Sequence, residues 1–254
     1  MFAQERQLRI VELLKERARL SVPELEAALG ASPATIRRDL SFLEDAGKAL
    51  RTHGGALAAD HGGGEIPYGR KNRQEAGAKR AIADLAAAMV AKGDSVYVDS
   101  GTTAFRVGVK LLSREGITVF TNSIPLLSEE PAPGCRLIAL GGEVRAVSLA
   151  MVGHGALAWM RSVRFDVAFI GASGIDPERG PCTTELGEAG VKSAAIRGAR
   201  RVVLVADASK WRQSAAIRFA GWSAFDDVIT DHRPNPLDLA ILAQHGIRIH
   251  NPRK

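Results

Sequence analysis

Cysteine is nearly absent: Cys135 and Cys182 are the only two in 254 residues. They lie far apart and form no Cys-x-x-Cys pair, so a disulfide framework and a cysteine-rich metal site are both excluded, and the two read as reduced thiols. Long apolar runs are missing as well. No stretch approaches the roughly 18 uncharged apolar residues that a membrane-spanning helix requires. Arg6, Arg9 and Lys15 interrupt the N-terminal stretch, which leaves no apolar core for a secretory leader, and a cytoplasmic location is expected. No Gly-x-Gly-x-x-Gly follows the first candidate strand, so the dinucleotide-binding signature is absent and a nucleotide-linked redox sensor is disfavoured. No internal repeat is found. Strong charge of one sign is lacking too, since 34 basic and 28 acidic side chains give a net +6, which permits a polyanionic partner without requiring one.

What charge there is lies unevenly. Residues 1–60 carry nine basic and nine acidic side chains, residues 61–80 five against two, and residues 81–254 twenty against seventeen. The acids of the first block sit mostly early (Glu5, Glu12, Glu16, Glu24, Glu26), away from the stretch Thr35-Ile36-Arg37-Arg38-Asp39-Leu40. At helical spacing Ile36, Leu40 and Leu43 share one apolar face. Ala34, Arg38 and Ser41 point the other way, with Thr35 and Arg37 on the flanks. Small residues, hydroxyls and guanidinium groups opposite a buried seam suit a DNA groove, because Arg bonds guanine bidentately or clamps phosphate and Thr or Ser reaches either.

The flanking residues fit that reading. Residues 4–17 form an amphipathic pattern, and Ser21-Val22-Pro23-Glu24 is a capping box with proline in the first turn, opening a helix that Gly30 stops. Ser32 and Pro33 open the next helix, and Gly47 is expected to close it. Helix, short helix, tight turn and helix make a helix-turn-helix whose last helix enters the major groove. Ala49–Leu57 then reads as a hairpin, the wing, with Arg51 and His53 near the backbone or minor groove. The candidate DNA contacts are Ser32, Ala34, Thr35, Arg37, Arg38, Ser41, Arg51 and His53. Residues 59–75 read as a linker, beginning with the glycine-rich Asp60–Gly64 and continuing into the basic run Arg70, Lys71, Arg73, which is either solvated or phosphate-contacting.

From about residue 76 apolar runs of four to six residues alternate with helical patterns. Strands are expected at Ser95–Asp99, Ile117–Thr121, Arg136–Leu140, Asp166–Gly171, Val202–Asp207, Val228–Asp231 and Ile247–His250. This predicts an α/β domain over 76–234 with a mostly parallel sheet covered by helices, completed by a C-terminal helix and strand over 235–254. Ligands of such sheets bind beyond the carboxyl ends of the strands. There the chain places Asp99-Ser100-Gly101-Thr102-Thr103, Thr121-Asn122-Ser123, Gly141-Gly142-Glu143, Gly171-Ala172-Ser173-Gly174 and Asp207-Ala208-Ser209-Lys210. A single Ser-Gly-Thr-Thr is more often only a tight turn; five polar or glycine-rich strand ends together suit a phosphorylated polyol, with helix N–H groups as an anion cradle. Glu185, Glu188 and Lys192 either add ligand contacts or are solvated helix charges. The candidate ligand residues are Asp99, Ser100, Gly101, Thr102, Thr103, Thr121, Asn122, Gly141, Gly142, Gly171, Ser173, Glu185 and Lys210, with no metal and no cofactor expected.

These residues resemble a known family, bacterial regulators of the deoxyribose-operon repressor (DeoR) type. The likeness rests on Glu5-Arg6-Gln7, Glu24-Leu25, Thr35–Leu40, Leu43-Glu44 and His53-Gly54-Gly55-Ala56 in the N-terminal winged helix (residues 3–58). In the larger domain it rests on Asp99–Thr103, Thr121-Asn122, Gly141-Gly142, Phe169-Ile170-Gly171, Ala206–Lys210 and Ile229-Thr230-Asp231. The resemblance implies a sensor domain with the fold of ribose-5-phosphate isomerase, a phosphorylated sugar as inducer, a homo-oligomer (dimer or tetramer) and repression at a double-stranded operator. The alternative is an isomerase-like enzyme, which needs a carboxylate base such as Asp99, Glu185 or Glu188. Residues 1–57 weigh against it, since an isomerase has no use for them.

Overall fold

A computed structural model describes residues 2–17, 19–46, 48–52, 54–58, 65–211, 213 and 215–252. Gly47, His53 and the glycine-rich segment 59–64, all named in the sequence reading, lie outside the described residues. The chain divides into two compact units, Met1–Ile66 and Pro67–Lys254.

In the first unit the elements are α1 (Ala3–Arg17), β1 (Arg19–Ser21), α2 (Val22–Leu29), α3 (Pro33–Asp45), β2 (Ala49–Thr52) and β3 (Gly55–Ala58). The helix starts follow from local chemistry. The Ser21 backbone N–H donates to Glu24 Oε2 at 2.7 Å while the Ser21 hydroxyl accepts from the Glu24 N–H, and Gly30 ends α2 in the left-handed region at φ 61°. Ser32 caps α3 by accepting the Thr35 N–H. Ile10, Leu14, Leu25, Ile36, Leu40 and Leu43 form the core, so the apolar face expected of α3 is the buried one. The expected hairpin is present as β2–β3, but it is part of a three-stranded sheet in the order β1-β3-β2. The added strand has only three residues, too few to leave a period, and pairing with β3 creates it. Gly55 makes that pairing possible: a Cβ there would lie 2.1 Å from the Leu20 carbonyl oxygen.

The second unit runs α4 (Tyr68–Arg73), α5 (Ala76–Ala88), β4 (Ser95–Val98), α6 (Thr102–Leu112), β5 (Thr118–Thr121), α7 (Ile124–Leu127), β6 (Arg136–Ala139), β7 (Glu143–Arg145), β8 (Ala150–Val152) and α8 (Gly153–Ser162). It continues with β9 (Phe165–Ile170), β10 (Gly174–Asp176), β11 (Gly180–Thr183), α9 (Leu186–Gly198), β12 (Ala199–Val205), β13 (Ile217–Arg218), β14 (Asp227–Ile229), α10 (Pro236–Gln244) and β15 (Arg248–His250). All seven expected strands join one parallel sheet, in the order β15-β14-β12-β9-β4-β5-β6. Its central strands are buried on both faces. Val96 and Val98 enter one apolar cluster with Ile82 and Leu111, while Tyr97 between them enters the other with Phe165 and Val191. That two-sided burial is why the strands read as continuous apolar runs. Two small antiparallel additions, β10-β11-β13 and the hairpin β7–β8, were not expected from the sequence.

One sequence expectation needs correction. The basic run Arg70-Lys71-Asn72-Arg73, assigned above to a linker, lies in α4 and belongs to the second unit. Tyr68 and Arg70 are buried, and the Tyr68 ring packs edge-on against Phe105 of α6 at 6.2 Å. Burial of those two side chains, invisible in a charge count, fixes the segment.

Candidate functional site

The outer face of α3 is as the spacing predicts. Ser32, Ala34, Arg37 and Arg38 are exposed, Thr35 and Ser41 half-buried, and Arg51 of β2 is exposed. Arg37 and Arg51 both line a groove of about 470 Å³ bounded by Ser21, Pro23, Glu26 and Gly54, which brings helix and wing together around one channel. The Ser32 hydroxyl is already engaged as a cap and stands 2.9 Å from the Thr35 hydroxyl. Sequence reasoning missed what holds α3 from behind. Asp39, third in the Arg-Arg-Asp run, is buried and accepts from Arg6 Nε at 2.5 Å and Gln7 Nε2 at 3.0 Å, tying α3 to α1. It also missed Phe42, which is exposed beside Leu8.

In the second unit the chain leaves β4 for β5 and β6 on one side, then returns to set β9 beside β4 and continues outward through β12, β14 and β15. The switch point therefore falls between β4 and β9, where open α/β sheets bind ligands. The Asp99–Thr103 turn and Gly171 meet there. Asp99 is buried, and its Oδ2 accepts from the Gly171 N–H at 3.0 Å and from the Lys192 ammonium of α9. Lys192 also donates to the Gly171 carbonyl at 3.1 Å. Asp99 Oδ1 is buried and has no hydrogen-bond partner among the described residues. A Cβ on Gly171 would come within 3.2 Å of Asp99 Oδ2, so both strand ends approach by being glycine-lined at Gly101 and Gly171. Ser100, Thr102 and Thr103 are buried at the start of α6.

One strand over, Asp207 follows β12. Its Oδ1 accepts from the backbone N–H and the hydroxyl of Ser209, and its buried Oδ2 has no hydrogen-bond partner among the described residues. Lys79 of α5 brings its ammonium to 4.0 Å from that oxygen, although it is almost wholly enclosed. Burial pushes the Lys79 amine down to about 8, with Asp207 partly opposing the shift. Burial also lowers the Lys210 amine, again against the pull of Asp207.

Other predicted residues are committed to the framework. The Thr121 hydroxyl donates to the Val98 carbonyl at 2.7 Å and accepts the Ser123 N–H. Asn122 accepts from the Tyr97 hydroxyl at 2.8 Å and donates to the Met151 carbonyl at 3.0 Å. Gly141 and Gly142 follow β6 at the sheet edge, away from the switch point. Gly142, at φ 138°, lets β7–β8 fold back, since a Cβ there would lie 2.4 Å from the Val152 carbonyl oxygen. The half-buried Ser173 donates its backbone N–H to the Cys182 carbonyl. Glu185 caps α9 by accepting the Glu188 N–H at 2.9 Å. Glu188 is buried between the Thr183 hydroxyl at 3.2 Å and Arg145 Nη1 at 3.1 Å. Lys79 and Arg145 were not foreseen. Glu188 and Lys192 stand one helical turn apart, a spacing that flags a shared face; Lys79 sits in an alanine-rich helix and gives no such signal.

Comparison with known proteins covers both units. Residues 6–61 match the DeoR-like helix-turn-helix domain and residues 74–232 the DeoR C terminal sensor domain. The chain is similar to the HTH-type transcriptional regulator GlpR of Haloferax volcanii, at 40% identity over 91% of each chain. It is also similar to the glycerol-3-phosphate regulon repressor of Escherichia coli K12, 31% identical over 94% of this chain and 95% of that one. Among solved structures, ribose 5-phosphate isomerase A of Methanocaldococcus jannaschii superposes on 52% of this chain and 53% of its own at 18% identity and a TM-score of 0.37, too loosely to assign the isomerase fold. A winged helix with an exposed arginine face, a parallel sheet with charged strand ends and two adjoining domain matches agree, and the chain belongs to the DeoR family of DNA-binding transcriptional regulators.

Proposed function

We propose that the chain represses a sugar or polyol catabolism operon and is released from its double-stranded operator by a phosphorylated sugar or polyol bound at the ends of β4, β9 and β12. The observation that carries this reading is the pair of buried carboxylates, Asp99 and Asp207, each with an oxygen that has no hydrogen bond among the described residues and each paired with a buried lysine, Lys192 and Lys79. Carboxylate oxygens accept ligand hydroxyls, and the lysines with the α6 N-terminus favour a phosphate. The relatives named for glycerol 3-phosphate control make that compound the first probe. Asp99 and Glu188 are held by Lys192 and Arg145, a binding arrangement rather than that of a free general base. The working form is a cytoplasmic homo-oligomer, dimer or tetramer, that pairs two winged helices on one operator.

A gel-shift titration against the gene's own upstream region tests the reading. A retarded band is expected at low salt and is expected to disappear on addition of glycerol 3-phosphate or another sugar phosphate. Absence of any retarded band at low salt overturns it.

A further inference from the structure

Helix α4 is six residues long and follows directly on the segment that leads out of the winged-helix unit. A helix so short has little stability of its own, so its place is set by what holds it. Three groups do so. At its start the Tyr68 N–H donates to the Val147 carbonyl at 2.8 Å, in the loop of the β7–β8 hairpin whose Arg145 bonds Glu188. In its last turn Asn72 Oδ1 accepts from Arg106 Nη2 of α6 at 3.1 Å. At its end the buried Lys79 ammonium donates to the carbonyls of Lys71 at 2.6 Å and Gln74 at 2.7 Å while facing Asp207. Each holder belongs to an element that also builds a strand-end segment: the hairpin, the helix opened by Ser100–Thr103, and the helix packed over Asp207.

We infer that α4 is the transmission helix of the regulator and that Lys79 is its positioning residue, clamping α4 when the strand-end site is empty and letting it go when a bound anion draws the ammonium away. The inference rests on the effector site proposed above. A ligand shifts such an equilibrium only by its different affinity for the two states, and the Lys79 clamp supplies the difference by position: held on the Lys71 and Gln74 carbonyls the ammonium stands 4.0 Å from Asp207 Oδ2, and moving toward an anion bound on that side lengthens both carbonyl bonds. Loss of the clamp should therefore imitate the ligand.

The test uses the full chain with Lys79→Met, and with Asn72→Ala as a second, milder variant should the first fail to fold. Amide hydrogen exchange is followed over residues 68–75 and over the winged helix, and operator affinity is measured without ligand and with glycerol 3-phosphate. The expected result is exchange in α4 faster by about tenfold, winged-helix exchange unchanged, and ligand-free operator affinity lower by about fivefold or more. Faster exchange in α4 with unaltered ligand-free operator affinity would overturn the inference, as would unaltered exchange in both variants. Failure of glycerol 3-phosphate and other sugar phosphates to move the wild-type operator affinity would instead count against the effector reading, and leaves the ligand-free comparison to decide the role of α4.

Discussion

Arg38 is exposed at the middle of the outward face of α3, and Asp39 next to it is buried against α1. Adjacent residues thus do opposite work. Replacing Arg38 with Ala is expected to cost about 1–3 kcal/mol of operator binding and to relax specificity at one base pair, measured by anisotropy on wild-type and substituted operators. An equal loss on all sequences, with a salt slope smaller by about one, would make Arg38 a phosphate contact instead. Replacing Asp39 with Ala removes the carboxylate that ties α3 to Arg6 and Gln7 of α1, and should lower winged-helix stability by about 1–3 kcal/mol in denaturant unfolding. The exposed half of this contrast follows from helical spacing alone. The buried half does not, because Arg6 and Asp39 are 33 residues apart and nothing local marks them as partners.

Elements differ in how much they owe to their own sequence. α2 and α3 carry their own start signals, Ser21 with Glu24 and Ser32 with Pro33, and both form where those signals stand. β1 carries none and exists through β3. Substituting Gly55 with Ala should therefore remove β1 from the sheet, since the added methyl would overlap the Leu20 carbonyl. The expected effects are loss of amide protection at residues 20–21 and a weaker wing, read by hydrogen exchange and by operator affinity. Retained protection at those amides would show that the strands can part slightly and still pair. α4 is the mirror case: its sequence advertises charge and a linker, and its structure is decided by Tyr68 and Arg70 finding a surface to pack on.

At the scale of the whole sensor unit, three parallel strands far apart in sequence are tied by one buried carboxylate. Asp227 of β14 accepts from Arg201 Nε of β12 at 2.7 Å and pairs with Arg248 and His250 of β15. Burial pushes the Asp227 carboxyl up, but the hydrogen bonds from Arg201, His250 and Arg248 outweigh it and hold the group below the ordinary carboxylate value. A depressed folded value stabilises the protein above the unfolded value, near pH 4, and that contribution is lost as pH falls through the folded value. Asp227→Asn should cost about 2 kcal/mol at neutral pH, discounted for the partly exposed partners, and should flatten the fall in stability below about pH 4. An unchanged acid limb in thermal melts would reject this assignment.

Much of the regulator is determined by the sequence itself: the helix-turn-helix, whose caps and spacing act within a few residues, and the seven strands, whose two-sided burial leaves unbroken apolar runs. The strand-end segments were legible for the same reason, because a strand and the turn after it are contiguous. Only the tertiary structure decided the strand order that puts the switch point between β4 and β9, the pairing of Asp99 with a lysine 93 residues away, and the approach of Lys79 to Asp207. It also gave Thr121 and Asn122 their framework hydrogen bonds and brought the Gly142 backbone against Val152, contacts that no local pattern marks. Local periodicity records which face of an element is buried. It holds no record of what that face is buried against, and charge pairs across the sheet are set by that partner.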